Sequence, residues 1–140
     1  MTDCSNNKLQ IANNRQYQST NDRNTKRYDL EERTLRYAGM VNGYVKKLPR
    51  TVPNIENGRQ LVKAAGSVGA NYIEANEALS RKDFIMRVKI ARKEAKESRY
   101  WLALTEAGQA GRGKEALINE ATQLIKIFSA ILIKCGIAKY

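Results

Sequence analysis

Few residues in this 140-residue chain have the type and spacing that chemistry needs. Ser67, Asn71 and Glu74 recur at i, i+4 and i+7, so on a helix two polar groups and an acid share one edge. Such a row serves either an active-site edge or a hydrogen-bond network between helices. Glu74 and Glu77 are candidate metal ligands, but carboxylate di-metal bundles also need a Glu-x-x-His pair from each of two helices. This chain has no His. That removes imidazole bases, Ser-His and Cys-His nucleophiles and His metal ligands together. Two distant cysteines, Cys4 and Cys135, are too few for a Cys-rich zinc site. The expectation is a protein that is not an enzyme, with no cofactor and no metal. Together the two suggest a reducing compartment, where cysteines stay reduced, with Cys135 as a small hydrophobe on an apolar face.

The second constellation is electrostatic. Lys and Arg number 25 against 14 Asp and Glu, a net charge of +11, beyond the roughly 2–8 that solubility asks of a small domain. A surface of that sign attracts phosphates, acidic proteins or anionic lipid heads. Between residues 81 and 99 the charge is concentrated. At 100° per residue, Arg81, Lys82, Lys89, Arg92, Lys93, Lys96 and Arg99 fall on one flank of a helix, and Glu94 and Glu97 point elsewhere. Like charges at i,i+3 and i,i+4 repel by a few tenths of a kcal/mol per pair. The stripe is therefore costly unless acids of a neighbouring helix or a polyanion compensate it. These seven cations are the candidate RNA or DNA phosphate contacts. On the far side Met86, Ile90, Trp101 and Leu104 form an apolar row where a bundle helix should be polar, which predicts a subunit interface.

These residues must be held by helices. Residues 1–28 hold six Asn, three Gln, five cations and two acids, with few apolar residues and no period. This is the composition of a disordered leader. Four amphipathic segments follow. The first is expected over about Asp29–Leu48, with Asp29 as N-cap, Glu31 and Glu32 in the first turn, and Leu30, Tyr37, Val41, Tyr44, Val45 and Leu48 inward. Pro49 and Pro53 mark a connection. The second spans about Asn57–Leu79, with Leu61, Ala65, Val68, Tyr72, Ala75 and Leu79 on one face. Val62, Gly69 and Ile73 widen that face, and Gly66 and Gly69 allow close helix approach. The third starts at Ser80, an N-cap with Asp83 at N3, and runs to about Ala107. Its core stripe is Phe84, Val88, Ala91, Ala95, Ser98 and Leu102. Gly108, Gly111 and Gly113 make the next turn. The fourth spans about Lys114–Cys135, with Leu117, Ala121, Leu124, Phe128, Ile131 and Cys135 as its seam, and Gly136 ends it. Long helices with short links pack antiparallel. The reading is an all-α, antiparallel, up-and-down four-helix bundle over 29–140 behind a polar leader. The apolar stretch Ile125–Cys135, broken by Lys126 and Lys134, is too short to span a bilayer, and residues 1–28 lack a signal-peptide core. Both point to a cytoplasmic protein.

The segment from Gln60 to Leu102 carries a resemblance. Ser67, Ala70-Asn71, Ile73-Glu74, Ser80, Arg81-Lys82 and Asp83-Phe84-Ile85, with Tyr28-Asp29-Leu30-Glu31 at the opening, resemble the bacterial four-helix-bundle family of ribosomal-RNA intervening sequences. The likeness covers about residues 28–135. The family's Glu-Gly step is Glu74-Ala75 here, and its Gly-Ser segment in the third helix is the charged run Ala91–Lys96. The resemblance implies an antiparallel bundle assembled as a homopentamer. The fold is also similar to that of the accessory variability proteins of diversity-generating retroelements, basic pentamers that bind nucleic acid and work with a reverse transcriptase. By that analogy the implied partners are further copies of the chain, RNA or DNA, and a reverse transcriptase, with no membrane.

Overall fold

A computed structural model describes residues 29–108 and 111–137; the leader 1–28, with Cys4, lies outside them. Four helices run in order: α1 Leu30–Lys46, α2 Val52–Asn76, α3 Arg81–Leu104 and α4 Gly111–Lys134. They form an antiparallel four-helix bundle in which α2 and α4 each pack against both α1 and α3.

Each start has a local cause. The Asp29 carboxylate accepts the Glu32 N–H at 2.8 Å, and the Ser80 hydroxyl accepts the Asp83 N–H at 3.1 Å, as their types predict. The second helix begins at Val52, earlier than expected. Thr51 is its N-cap and accepts the Asn54 N–H at 3.3 Å. Pro53 does not break the helix, because a first-turn residue has no intrahelical N–H bond to lose. That same helix ends at Asn76, so Leu79 falls in the link and is fully exposed. Its expected place on the core face is thus corrected. α3 stops at Leu104 rather than near Ala107, and α4 starts at Gly111. Gly136, at φ +84°, follows the end of α4 in the left-handed region that glycine occupies without strain.

The core follows the sequence pattern except on α2, where Val62 and Ile73, expected to widen the inward face, are 38% and 49% exposed. Tyr37, Val41, Leu61, Val68, Tyr72, Phe84, Val88, Leu102, Leu124, Phe128 and Leu132 are fully or almost fully buried. Burying side chains of this size contributes about 1.5–3 kcal/mol each before entropy is charged against it. Ala91, Ala95 and Ser98 make the middle of α3 small, and all three are buried. The Tyr37 ring of α1 reaches across to Ser98 there, at 2.8 Å. Gly69 lets α1 and α2 approach: a Cβ on it would lie 2.8 Å from the Thr34 hydroxyl. Gly66 has no such role, since nothing lies within 4 Å of where its Cβ would be.

Gly113–Lys134 is long and apolar enough to cross a membrane by length and composition, with mean hydropathy 1.5, contrary to the expectation drawn from Ile125–Cys135 alone. In the fold its Leu117, Ala121, Leu124, Ile125, Phe128 and Leu132 are buried, as a bundle's core helix requires. Cys135 is buried too, but no described cysteine is a free thiol. The reading of Cys135 as reduced is corrected on that point.

Candidate nucleic-acid interface

The seven cations of α3 divide into two rows. Arg81, Arg92 and Arg99 turn toward α4. The Arg81 guanidinium donates to the Cys135 carbonyl at 2.6 Å, Arg92 to the Ser129 hydroxyl at 3.3 Å, and Arg99 to the Thr122 hydroxyl at 3.3 Å. The rise of two helical turns between Arg92 and Arg99 matches that between Thr122 and Ser129, because the helices are antiparallel. These guanidinium groups are thus oriented by the fold. Lys82, Lys89, Lys93 and Lys96 form the outer row and are exposed. None of the four has an ion pair with a described residue. Expected compensation by acids of neighbouring helices is therefore absent for this row among the described residues.

α4 extends the positive face. Lys126 is exposed on the same helix as Thr122 and Ser129, one turn from each. Reading α3 alone missed it. Its signal was present in the sequence as the charge that interrupts an otherwise apolar run.

The apolar row of α3 is less uniform than its spacing predicts. Met86 and Leu104 are 45% and 43% exposed. Ile90 is half-buried, and Trp101 packs against the core. Trp101 therefore belongs partly to the fold rather than wholly to an open surface. Its ring meets that of Tyr100 edge-on at 5.0 Å, and its buried Nε1–H has no hydrogen-bond acceptor among the described residues. Between these residues lie Glu94 and Glu97. Burial raises the Glu94 carboxyl above its ordinary value, and the Glu97 charge and a hydrogen bond with Glu97 add to the rise. The charges of Lys93 and Lys63 oppose it.

The polar row of α2 is engaged in hydrogen bonds within the helix and to α3. Ser67 donates to the Lys63 carbonyl at 2.9 Å, and Asn71 donates to the Ser67 carbonyl at 2.8 Å. The Asn71 Oδ1 accepts from Arg87 of α3 at 3.3 Å. Glu74 is exposed and stands apart from these bonds. Among the described residues no three potential ligands gather to hold a metal.

Sequence reading also missed Asn54, which it placed in a loop. Asn54 is buried. Its amide donates to the Pro49 and Glu106 carbonyls, both at 2.9 Å, and its Oδ1 accepts the Glu106 N–H at 2.9 Å. It ties the α1–α2 link to the end of α3.

Comparison with known proteins gives a family and a structure. The family described as 23S rRNA-intervening sequence protein matches residues 26–133. A similar solved structure is that of a protein with unknown function from the S23 ribosomal protein family of Bacteroides thetaiotaomicron VPI-5482. It is 30% identical, with a TM-score of 0.62 over 73% of this chain and 96% of that one. No curated protein matches the chain.

Proposed function

This chain belongs to the 23S rRNA-intervening sequence protein family, and we propose that it works without catalysis, as a homo-oligomeric bundle binding RNA or DNA phosphates along α3. The observation that carries this reading is the outer row of Lys82, Lys89, Lys93 and Lys96, exposed and without ion pairs to described residues. Four like charges on one helix face are repulsive alone and favourable beside a polyanion. Lysine is a point charge on a flexible stem, suited to phosphate oxygens rather than to base edges. Binding is accordingly expected to be salt-dependent and weakly sequence-dependent. Titrating structured RNA and duplex DNA across a salt series tests it; no binding at low salt ends it.

A second reading is an assembly module with a protein partner, such as a reverse transcriptase, and no nucleic-acid affinity. The exposure of Met86 and Leu104 favours it, because an apolar row on a soluble bundle suits association. It predicts a stable oligomer that ignores salt and polyanions. Under both readings the chain assembles with itself, and the pentamer implied by resemblance is part of the proposal.

A further inference from the structure

We propose that the lysine face of α3 takes single-stranded rather than duplex nucleic acid, with one unpaired base held in the apolar cleft beside Met86 and Ile90 and another stacked on Tyr100. This rests on the phosphate-binding reading above and adds to it the form of nucleic acid bound.

The outer lysines do not stand on a plain polar face. Lys82, Lys89 and Lys93 border an open cleft of about 580 Å³ whose apolar lining is Ile85, Met86 and Ile90. Phosphate contacts gain nothing from such a floor, because apolar burial is favourable only against another apolar surface. A duplex keeps the flat faces of its bases stacked within it, whereas an unpaired nucleotide exposes them. A base face laid on Met86 and Ile90 removes both from water, and the flexible Met86 thioether adapts to an aromatic ring. The acid on the rim, Asp83, faces the Arg87 guanidinium at 4.0 Å. None of the three lysines forms an ion pair with a described residue, though the Lys93 charge also acts on the Glu94 carboxyl.

A second seat lies farther along the same face. Lys89, Lys93, Lys96 and Tyr100 follow one another at i, i+4, i+7 and i+11, so the tyrosine continues the lysine row by one turn. Tyr100 is 58% exposed. The Trp101 ring, itself packed on the core, meets it edge-on at 5.0 Å. An exposed aromatic ring braced by a packed neighbour, with cations beside it, is the arrangement on which bases stack. Tyr100 stands about 15 Å along the helix from Ile90, so the two seats take different nucleotides of one strand, and Lys93 and Lys96 between them meet its phosphates. Stacking and apolar contact read no base edge, which keeps sequence dependence weak. The positive face continues past the cleft through Lys96 and across to Lys126 of α4, as a chain of phosphates needs.

Fluorescence anisotropy with three probes of equal phosphate number tests this: a single strand, a duplex, and a strand made abasic through its middle. Each is titrated across a salt series with the wild type, Tyr100→Ala, Tyr100→Phe and Met86→Ser, and circular dichroism verifies that each variant is folded. The wild type is expected to bind the intact strand at least about tenfold more tightly than the abasic strand or the duplex. Tyr100→Ala should weaken binding of the intact strand by about 5- to 100-fold, and Met86→Ser should weaken it less. Both should leave the salt slope and the abasic and duplex affinities as they are. Tyr100→Phe keeps the ring and should keep the affinity. An abasic strand or a duplex that binds as tightly as the intact strand, or a Tyr100→Ala protein with full strand affinity, overturns the inference while phosphate binding stands. No binding of any probe at low salt overturns the phosphate reading and this inference together, and an acidic amphipathic peptide that binds in their place assigns the face to a protein.

Discussion

The Tyr37 hydroxyl lies 2.8 Å from the Ser98 hydroxyl, across the core from α1 to α3. The direction of that bond follows from the rest of the geometry. Ser98 donates its own proton to the Ala95 carbonyl at 2.8 Å, so Tyr37 is the donor. Tyr44 repeats the arrangement two turns later. Thr105 donates to the Leu102 carbonyl at 2.6 Å, and its oxygen receives the Tyr44 hydroxyl at 2.7 Å. Both tyrosines reach diagonally between helices that otherwise barely meet. These two bonds fix the register of α1 against α3.

Tyr37 should make the fold sensitive to alkali. Burial pushes its phenol up to about 12, the Glu120 charge adds to this, and the Ser98 hydroxyl, which can turn to donate to a phenolate, opposes it. The unfolded chain ionises first, near pH 10. The unfolded state then binds fewer protons than the native one, so stability falls as pH rises from about 10 to 12, by up to about 1.4 kcal/mol per unit. Urea denaturation from pH 9 upward should show that loss, reduced in Tyr37→Phe. At pH 7 the same substitution should cost about 0.5–1.5 kcal/mol.

Two glycines should respond oppositely to alanine. At Gly69 a Cβ would lie 2.8 Å from the Thr34 hydroxyl, which already donates to the Glu31 carbonyl at 2.8 Å. Gly69→Ala should destabilise by about 1–3 kcal/mol through overpacking. Gly39, inside α1, has nothing within 4 Å, and Gly39→Ala should stabilise by about 0.5–1 kcal/mol. Thermal denaturation of the pair distinguishes close approach from glycine tolerated in a helix.

Asn54→Ala should be among the more damaging polar substitutions. It leaves the Glu106 N–H and two carbonyls without the partner they now have. An unmet buried group costs about 1–3 kcal/mol. Hydrogen exchange at the Glu106 amide should speed up more than exchange in the middle of α3.

The two cation rows should separate binding from folding. Replacing Lys82, Lys89 and Lys96 with Ala should reduce the logarithmic salt slope of nucleic-acid binding by up to about three units, with stability changes near ±0.5 kcal/mol per site. Arg92→Ala and Arg99→Ala remove hydrogen bonds to Ser129 and Thr122, so they should lower the melting temperature as well. Equal effects of both rows on stability would contradict the division.

Trp101→Phe keeps an aromatic ring against the core and deletes the Nε1–H that lacks an acceptor among the described residues. Removing an unmet donor offsets the lost ring area, and the net change in urea midpoint should be small. A loss above about 2 kcal/mol would show that the indole N–H is engaged after all.

The sequence by itself determined the helices, their inward faces apart from Val62, Ile73 and Leu79 of the second, and the two helix starts at Asp29 and Ser80. Periodicity is a property of neighbouring residues, and a side-chain cap acts within three positions, so both are legible locally. It also placed the seven α3 cations on one flank. Where it failed, the deciding fact lay elsewhere in the chain. Leu79 matched the period of its helix but falls beyond the helix's end at Asn76. Pro53 looked like a break because the Thr51 cap that starts α2 before it was not recognised. Only the tertiary structure separated Gly69, pressed against Thr34, from Gly66, which faces open space. It alone turned the arginines toward α4 and left the lysines outward, because that division depends on where Thr122, Ser129 and the Cys135 carbonyl stand. A wheel drawn for one helix assigns directions to side chains; what each direction meets is set by the helix packed beside it.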